Sequence, residues 1–227
     1  MNLFLNSNLN KTKNLSSKNN ARERRIMEEY KKKTLESYNK NTDAFINKFK
    51  DLLRIHEREE FSIFIKLLKG KKILELGCGG GEHALYFKQR GLDVTCIDLS
   101  EEMIEECKRR GLAAEVMDIE ELKFGKEEFD GIWAVTSLLH VPKNKLPDVL
   151  RKIHEILRGG GIFYICLKEG EGERMVGDKE SDGKTQRFFA YWQGEEIKKL
   201  LEMNFEIIKE ERVTIGKTVF LEYFLKK

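Results

Sequence analysis

Ile73-Leu-Glu-Leu-Gly-Cys-Gly-Gly-Gly81 decides the reading of this chain: a short apolar run passes directly into a glycine loop. The run is the length of a buried strand, and the segment beyond it, Glu82 to Arg90, has helical rhythm and is closed by Gly91. Gly77 and Gly79 carry no Cβ, so the loop can turn sharply and a ligand can lie against its backbone. The same residues also suit a plain strand-to-helix turn, and the flanking sequence must decide between the two.

Outward from the loop the rhythm repeats. Val94-Thr-Cys-Ile97 reads as a second strand, followed by a helix with Ser100 as its N-cap. Ala113 to Met117 and Gly131 to Val135 read as the third and fourth strands, and Lys145 to Leu157 as a helix ended by Arg158-Gly-Gly-Gly161. Ile162 to Leu167 is almost wholly apolar, as expected of a central strand. Strands alternating with helices predict βαβ units, hence a mostly parallel α/β sheet, doubly wound with helices on both faces. The end of the chain breaks the pattern. After a helix from Glu195 to Met203, strands Phe205–Val213 and Thr218–Phe224 are separated only by Thr214-Ile-Gly-Lys217, too short for a parallel crossover. The prediction is seven strands, the last two forming a C-terminal antiparallel hairpin. Before the loop, Arg24 to Lys69 has helical spacing.

Acids recur where these strands end. Asp98 stands 21 residues beyond Gly77, the place where a nucleotide-binding α/β domain sets a carboxylate against ribose hydroxyls. Asp118 ends the third strand in the same way, although it equally fits a helix N-cap. The dinucleotide pattern G-x-G-x-x-G needs glycine at position 82, where this chain has Glu82, and a pyrophosphate would sit poorly beside Glu75 and Glu82. A cofactor with ribose, adenine and a zwitterionic amino acid but no phosphate suits the acids better, which points to S-adenosylmethionine. An NAD-dependent reductase is disfavoured on the same grounds; a module that binds the nucleoside without turnover stays open.

Glu75-Leu-Gly-Cys-Gly79, Asp98-Leu-Ser-Glu-Glu-Met103 and Asp118 together resemble the first three motifs of the class I S-adenosylmethionine-dependent methyltransferases. The resemblance runs from about Tyr38 to Lys227. It is closest to the small bacterial-type members with a stretch such as Lys168-Glu-Gly-Glu-Gly-Glu173 and a block such as Arg187-Phe-Phe-Ala-Tyr-Trp192. It implies a Rossmann-like seven-stranded domain over residues 71–227, with the helices of 27–70 packing on or covering the cofactor site. It further implies that Gly77 and Gly79 line the methionine portion, and that Glu75 orients the loop or reaches the amino group through water. Asp98 would take both ribose hydroxyls, with Leu99 and Met103 against the adenine. Asp118 would accept from the adenine amino group, Ile119 would pack on the ring, and backbone from Ala134 to Thr136 would face the methionine amino group.

The acceptor end is less legible. His140 follows the fourth strand and is the candidate general base, because an imidazole titrates near neutrality; a histidine that only packs the loop fits as well. Tyr38, Lys168, Arg187 and Tyr191 are the candidate substrate contacts, Arg187 being suited to a carboxylate or phosphate. An activated methyl needs mainly in-line positioning, so no catalytic side chain has to be visible.

The remaining properties set bounds. The 227 residues carry a net charge of only +3, so no global field marks a nucleic-acid or membrane partner. A small-molecule acceptor is the first expectation, with RNA or protein second, and monomer is the default. Cys78, Cys96, Cys107 and Cys166 form no CxxC pair, which fits a reduced, cytoplasmic protein, and with His56, His83, His140 and His154 scattered no metal site is expected. Residues 1–26 contain almost no apolar surface and are expected to be a disordered extension, with Met27 an alternative start.

Overall fold

The computed structural model describes residues 29–55, 59–181 and 183–227; the expectations for residues 1–26, Met27 and His56 fall outside them. Where helices are expected before the glycine loop, three stand: α1 (residues 29–40), α2 (Thr42–Ile55) and α3 (Glu59–Leu67). The break between α1 and α2 falls at Asn41, whose side-chain amide donates to the Ser37 carbonyl at 2.8 Å.

The alternating part follows as β1 (Lys72–Leu76), α4 (Glu82–Gln89), β2 (Asp93–Asp98), α5 (Glu101–Arg109), β3 (Ala113–Val116), β4 (Phe129–Val135), α6 (Leu146–Ile156) and β5 (Leu157–Lys168). Ser100 caps α5, its hydroxyl accepting from the Met103 N–H at 3.2 Å. After β5 come β6 (Glu173–Gly177), β7 (Gln186–Ala190), α7 (Gly194–Glu202), β8 (Glu206–Ile215) and β9 (Thr218–Lys226).

Seven strands form one sheet in the order β3-β2-β1-β4-β5-β9-β8. The first five are parallel, and β9 runs antiparallel to both β5 and β8. The fold is thus the Rossmann-like, mostly parallel α/β sheet expected, closed by the C-terminal antiparallel hairpin. Its turn is shorter than drawn from sequence. Ile215 already pairs with Thr218, leaving Gly216 and Lys217 as the loop, and Gly216 takes the positive φ of 62° such a tight turn requires. Two further details differ. Arg158-Gly-Gly-Gly161 does not end α6 as a loop but opens β5 as a bulge between the pairs Phe129–Leu157 and Gly131–Ile162, where Gly160 at φ 74° donates to the Lys227 carbonyl. And β6 pairs with β7 in a separate antiparallel ribbon that is not among the seven expected strands.

Each face of the sheet has its own core. On one, α6 and α7 cover Leu74, Leu76, Ile132 and Phe163. On the other, Phe61 and Phe64 of α3 join Phe87, Trp133 and Tyr164; the Trp133 and Tyr164 rings stack with centroids 4.1 Å apart. Strand β1 pairs with β2 on one side and β4 on the other, so strand order reverses there. A crevice at the carboxyl edge of the strands follows from that reversal.

Candidate active site

A cavity of about 420 Å³ occupies this crevice, within the range of small-ligand sites. Glu75, Gly77, Gly79, Asp98, Leu99, Met103, Asp118, Ile119 and Thr136 all line it, as do Tyr38, His140, Lys168 and Arg187. Tyr191 does not. Its ring lies under the Arg174 guanidinium at 3.9 Å and beside Phe189, so the structure does not bring this expected substrate contact to the cavity lining.

The loop after β1 is shaped by its glycines. Gly77 has φ 68°, and a Cβ built on it would lie 2.4 Å from Ser137 Cβ in the loop after β4, so the two loops touch only because the side chain is missing. Gly79 has φ 51°, but a Cβ there meets no protein atom within 4 Å and would project into open space. Across the crevice Thr136 holds φ 51°, rare for a β-branched residue, with its N–H donating to the Cys166 carbonyl at 3.0 Å.

The acids serve different ends. Asp98 Oδ2 accepts the Gly79 N–H at 2.9 Å and Oδ1 the Ser100 N–H at 3.0 Å, tying the glycine loop to the start of α5. Burial pushes its carboxyl above the usual range, with the two backbone donors opposing. Glu75 is buried, and its Oε2 has no hydrogen-bond partner among the described residues. Desolvation drives its carboxyl well above the ordinary value. Its Oε1 is 3.6 Å from His83 Nδ1, but that nitrogen accepts from the Trp133 indole N–H at 3.0 Å. Asp118 realises the helix-cap alternative, Oδ1 accepting from the Glu120 N–H at 2.9 Å, and its Oδ2 meets Lys31 Nζ of α1 at 2.5 Å. Glu82, absent from the dinucleotide pattern, pairs with Arg110 at 2.5 Å.

At the far end a buried polar chain crosses from the β6–β7 ribbon to α1. Asp178 accepts from Arg187 Nε at 2.5 Å and from Ser37 of α1. Arg187 Nη1 donates to the Tyr38 oxygen at 3.0 Å, and the Tyr38 hydroxyl donates to His140 Nε2 at 2.9 Å. His140 Nδ1–H in turn donates to the Phe188 carbonyl at 2.5 Å, which fixes the tautomer. Burial first, then the charges of Arg187 and Lys168, hold the imidazole pKa down to about 3. Sequence reasoning had not singled out Tyr30, Lys31, Ser37, Phe45, Asp178 or Phe220. Their pairing across as many as 141 positions left no local trace.

The arrangement fits a ligand carrying an ammonium, ribose hydroxyls and an apolar ring: an orphaned buried carboxylate oxygen, a second carboxylate at the β2 end, and open space over Gly79. Residues 73–161 match the model of a methyltransferase domain. An uncharacterized methyltransferase of Synechocystis is 32% identical over 98 residues, 42% of this chain and 46% of that protein. A malonyl-[acyl-carrier protein] O-methyltransferase of Salmonella typhimurium is 31% identical over 112 residues, 47% of this chain and 44% of that protein. The chain therefore matches less than half the length of these relatives. A solved structure of a SAM-dependent methyltransferase from Methanosarcina mazei superposes with a TM-score of 0.67 at 20% identity, over 73% of this chain and 96% of that one, a likeness of fold.

Proposed function

We propose that this chain, whose residues 73–161 match the model of a methyltransferase domain, is a class I S-adenosylmethionine-dependent methyltransferase that moves a methyl group from that cofactor to a small-molecule acceptor. The observation that carries the reading is the buried Glu75 Oε2 without a partner, beside the glycine loop that Asp98 holds. Leaving a buried carboxylate oxygen unpaired costs about 1–3 kcal/mol or more, which a ligand ammonium would offset.

Bound S-adenosylmethionine supplies a methyl activated by a positive sulfur. The chain's part is to hold and to shield. Glu75 would accept from the ammonium group, Asp98 from ribose hydroxyls, and Leu99, Met103 and Ile119 would flank the purine. Tyr30 and Lys31 of α1 and the ribbon residues Arg187 and Phe189 also line the cavity. Cover from both sides supports a compact acceptor over a polymer. Water exclusion and an in-line approach at about 3–3.5 Å then account for much of the acceleration.

The test is calorimetric titration of the full chain with S-adenosylmethionine and S-adenosylhomocysteine, on wild type and Asp98→Ala. Binding that the substitution weakens by about 1.5–3 kcal/mol supports the reading. Wild type that binds neither nucleoside sinks it.

A further inference from the structure

Resting on the methyl-transfer reading, we propose that the acceptor is a small, flat organic acid, a carboxylate or comparably acidic enolate, which enters with its nucleophilic oxygen already deprotonated.

The cavity sorts its charges by strand. Its acids, Glu75, Glu82, Asp98, Asp118 and Glu120, all belong to the segments at and after the ends of β1, β2 and β3. From β4 onward the charged residues lining it are Lys168 and Arg187. Two carboxylates of this end stand outside the cavity. Asp178 holds Arg187 from outside the cavity, and Glu222, buried on β9, lies 3.7 Å from the Cys166 thiol; neither lines the cavity. A ligand at this end therefore meets the cationic groups of Lys168 and Arg187, with no carboxylate of the described residues from β4 onward lining the cavity, between low-dielectric walls that focus the field. Those walls are Leu139, Phe189, Phe220 and Ile215, with Lys168 Nζ 4.3 Å from the Phe189 ring centroid. Apolar faces beside a cation suit an anion on an unsaturated frame.

Among the described residues, the same end offers no free imidazole or carboxylate as proton acceptor for an alcohol. His140 is engaged at both nitrogens, accepting from Tyr38 and donating to the Phe188 carbonyl, and the Tyr38 oxygen already accepts from Arg187. An imidazole held neutral down to about pH 3 is too weak a base to assist a hydroxyl. A carboxylate needs no such help. Its lone pair forms the O–CH3 bond as the S–CH3 bond breaks, the bonding pair stays on sulfur, and the charges of −1 and +1 cancel without release of a proton.

The experiment uses full-length protein saturated with S-adenosylhomocysteine and saturation-transfer NMR with benzoate, trans-cinnamate and 4-hydroxybenzoate against their carboxamides. The acids should bind at least about tenfold tighter than the amides, and Lys168→Met should erase that preference while Lys168→Arg keeps it. With S-adenosylmethionine the bound acid should yield its methyl ester at a rate flat between about pH 6 and 9, above carboxylate titration. Amides that bind as well as acids, no acid that binds, or a rate climbing with the ionisation of an acceptor hydroxyl overturns the proposal. Loss of homocysteine-nucleoside binding in wild type would instead remove the methyl-transfer reading beneath it.

Discussion

Lys31 Nζ lies 2.5 Å from Asp118 Oδ2, so the carboxylate that ends β3 is gripped by the N-terminal helix across 87 positions of sequence. The same ammonium is 3.1 Å from Glu120, which Tyr30 reaches from α1 and Lys145 from the start of α6. This edge of the cavity is closed by polar contacts that can open and reform. Lys31→Ala should cost about 1 kcal/mol of stability, the pair being about a quarter exposed, yet speed release of a bound nucleoside several-fold. Stopped-flow displacement measures it; an unchanged release rate would mean that α1 does not guard this edge.

Gly77 and Gly79 form a matched pair for substitution. Alanine at 77 forces a Cβ to 2.4 Å from Ser137 Cβ on a left-handed backbone, so the fold should lose stability together with binding. Alanine at 79 meets only open space, costing roughly 1–2 kcal/mol for its φ of 51° but placing a methyl where the ligand belongs. The expected outcome is a large melting shift for the first, and for the second a small shift with a disproportionate loss of nucleoside affinity.

His140 predicts a slope in acid. Its folded pKa is depressed to about 3 while the unfolded chain titrates near 6.5, so the unfolded state binds the extra proton between these values. The contribution is fully present above about pH 6.5 and falls by up to about 1.4 kcal/mol per pH unit below it. Glu75 acts oppositely, its raised pKa costing stability as pH climbs past the ordinary carboxylate range. Urea unfolding of wild type against His140→Gln from about pH 4 to 7 isolates the histidine, and parallel curves would contradict its burial as a neutral ring.

Phe61 of α3 touches His83, Tyr86, Phe87 and Trp133, with centroids 4.7–5.3 Å away. Phe61→Ala should cost about 3–5 kcal/mol, the range for a fully buried aromatic. A loss under about 1 kcal/mol would show that α3 docks without contributing to the core.

What could be read from sequence was what local chemistry dictates. The step from Ile73–Leu76 into Gly77 and Gly79, the cap at Ser100 and the short link before Thr218 each have one economical backbone solution, and together they fix sheet, crevice and hairpin. The β6–β7 ribbon escaped notice because Glu173, Arg174 and Gln186 are exposed or polar and glycines flank it, leaving no alternation to detect. The partners of Asp178 escaped for another reason. Thr185 and Arg187 reach it only once the ribbon pairs and Ser37 only when α1 docks, and Arg187, expected to receive an anion, is already committed to Asp178 and Tyr38.

The Trp133 indole, stacked on Tyr164 in the core, also hydrogen-bonds His83, which lines the cavity beside Glu75. A buried chromophore thereby stands one side chain away from the carboxylate proposed to receive a positive charge. Its ultraviolet emission should register occupancy without any label, while Trp192, on the opposite side of the sheet under Lys143, serves as an internal reference. The molecule carries its own optical gauge of whether the crevice is filled.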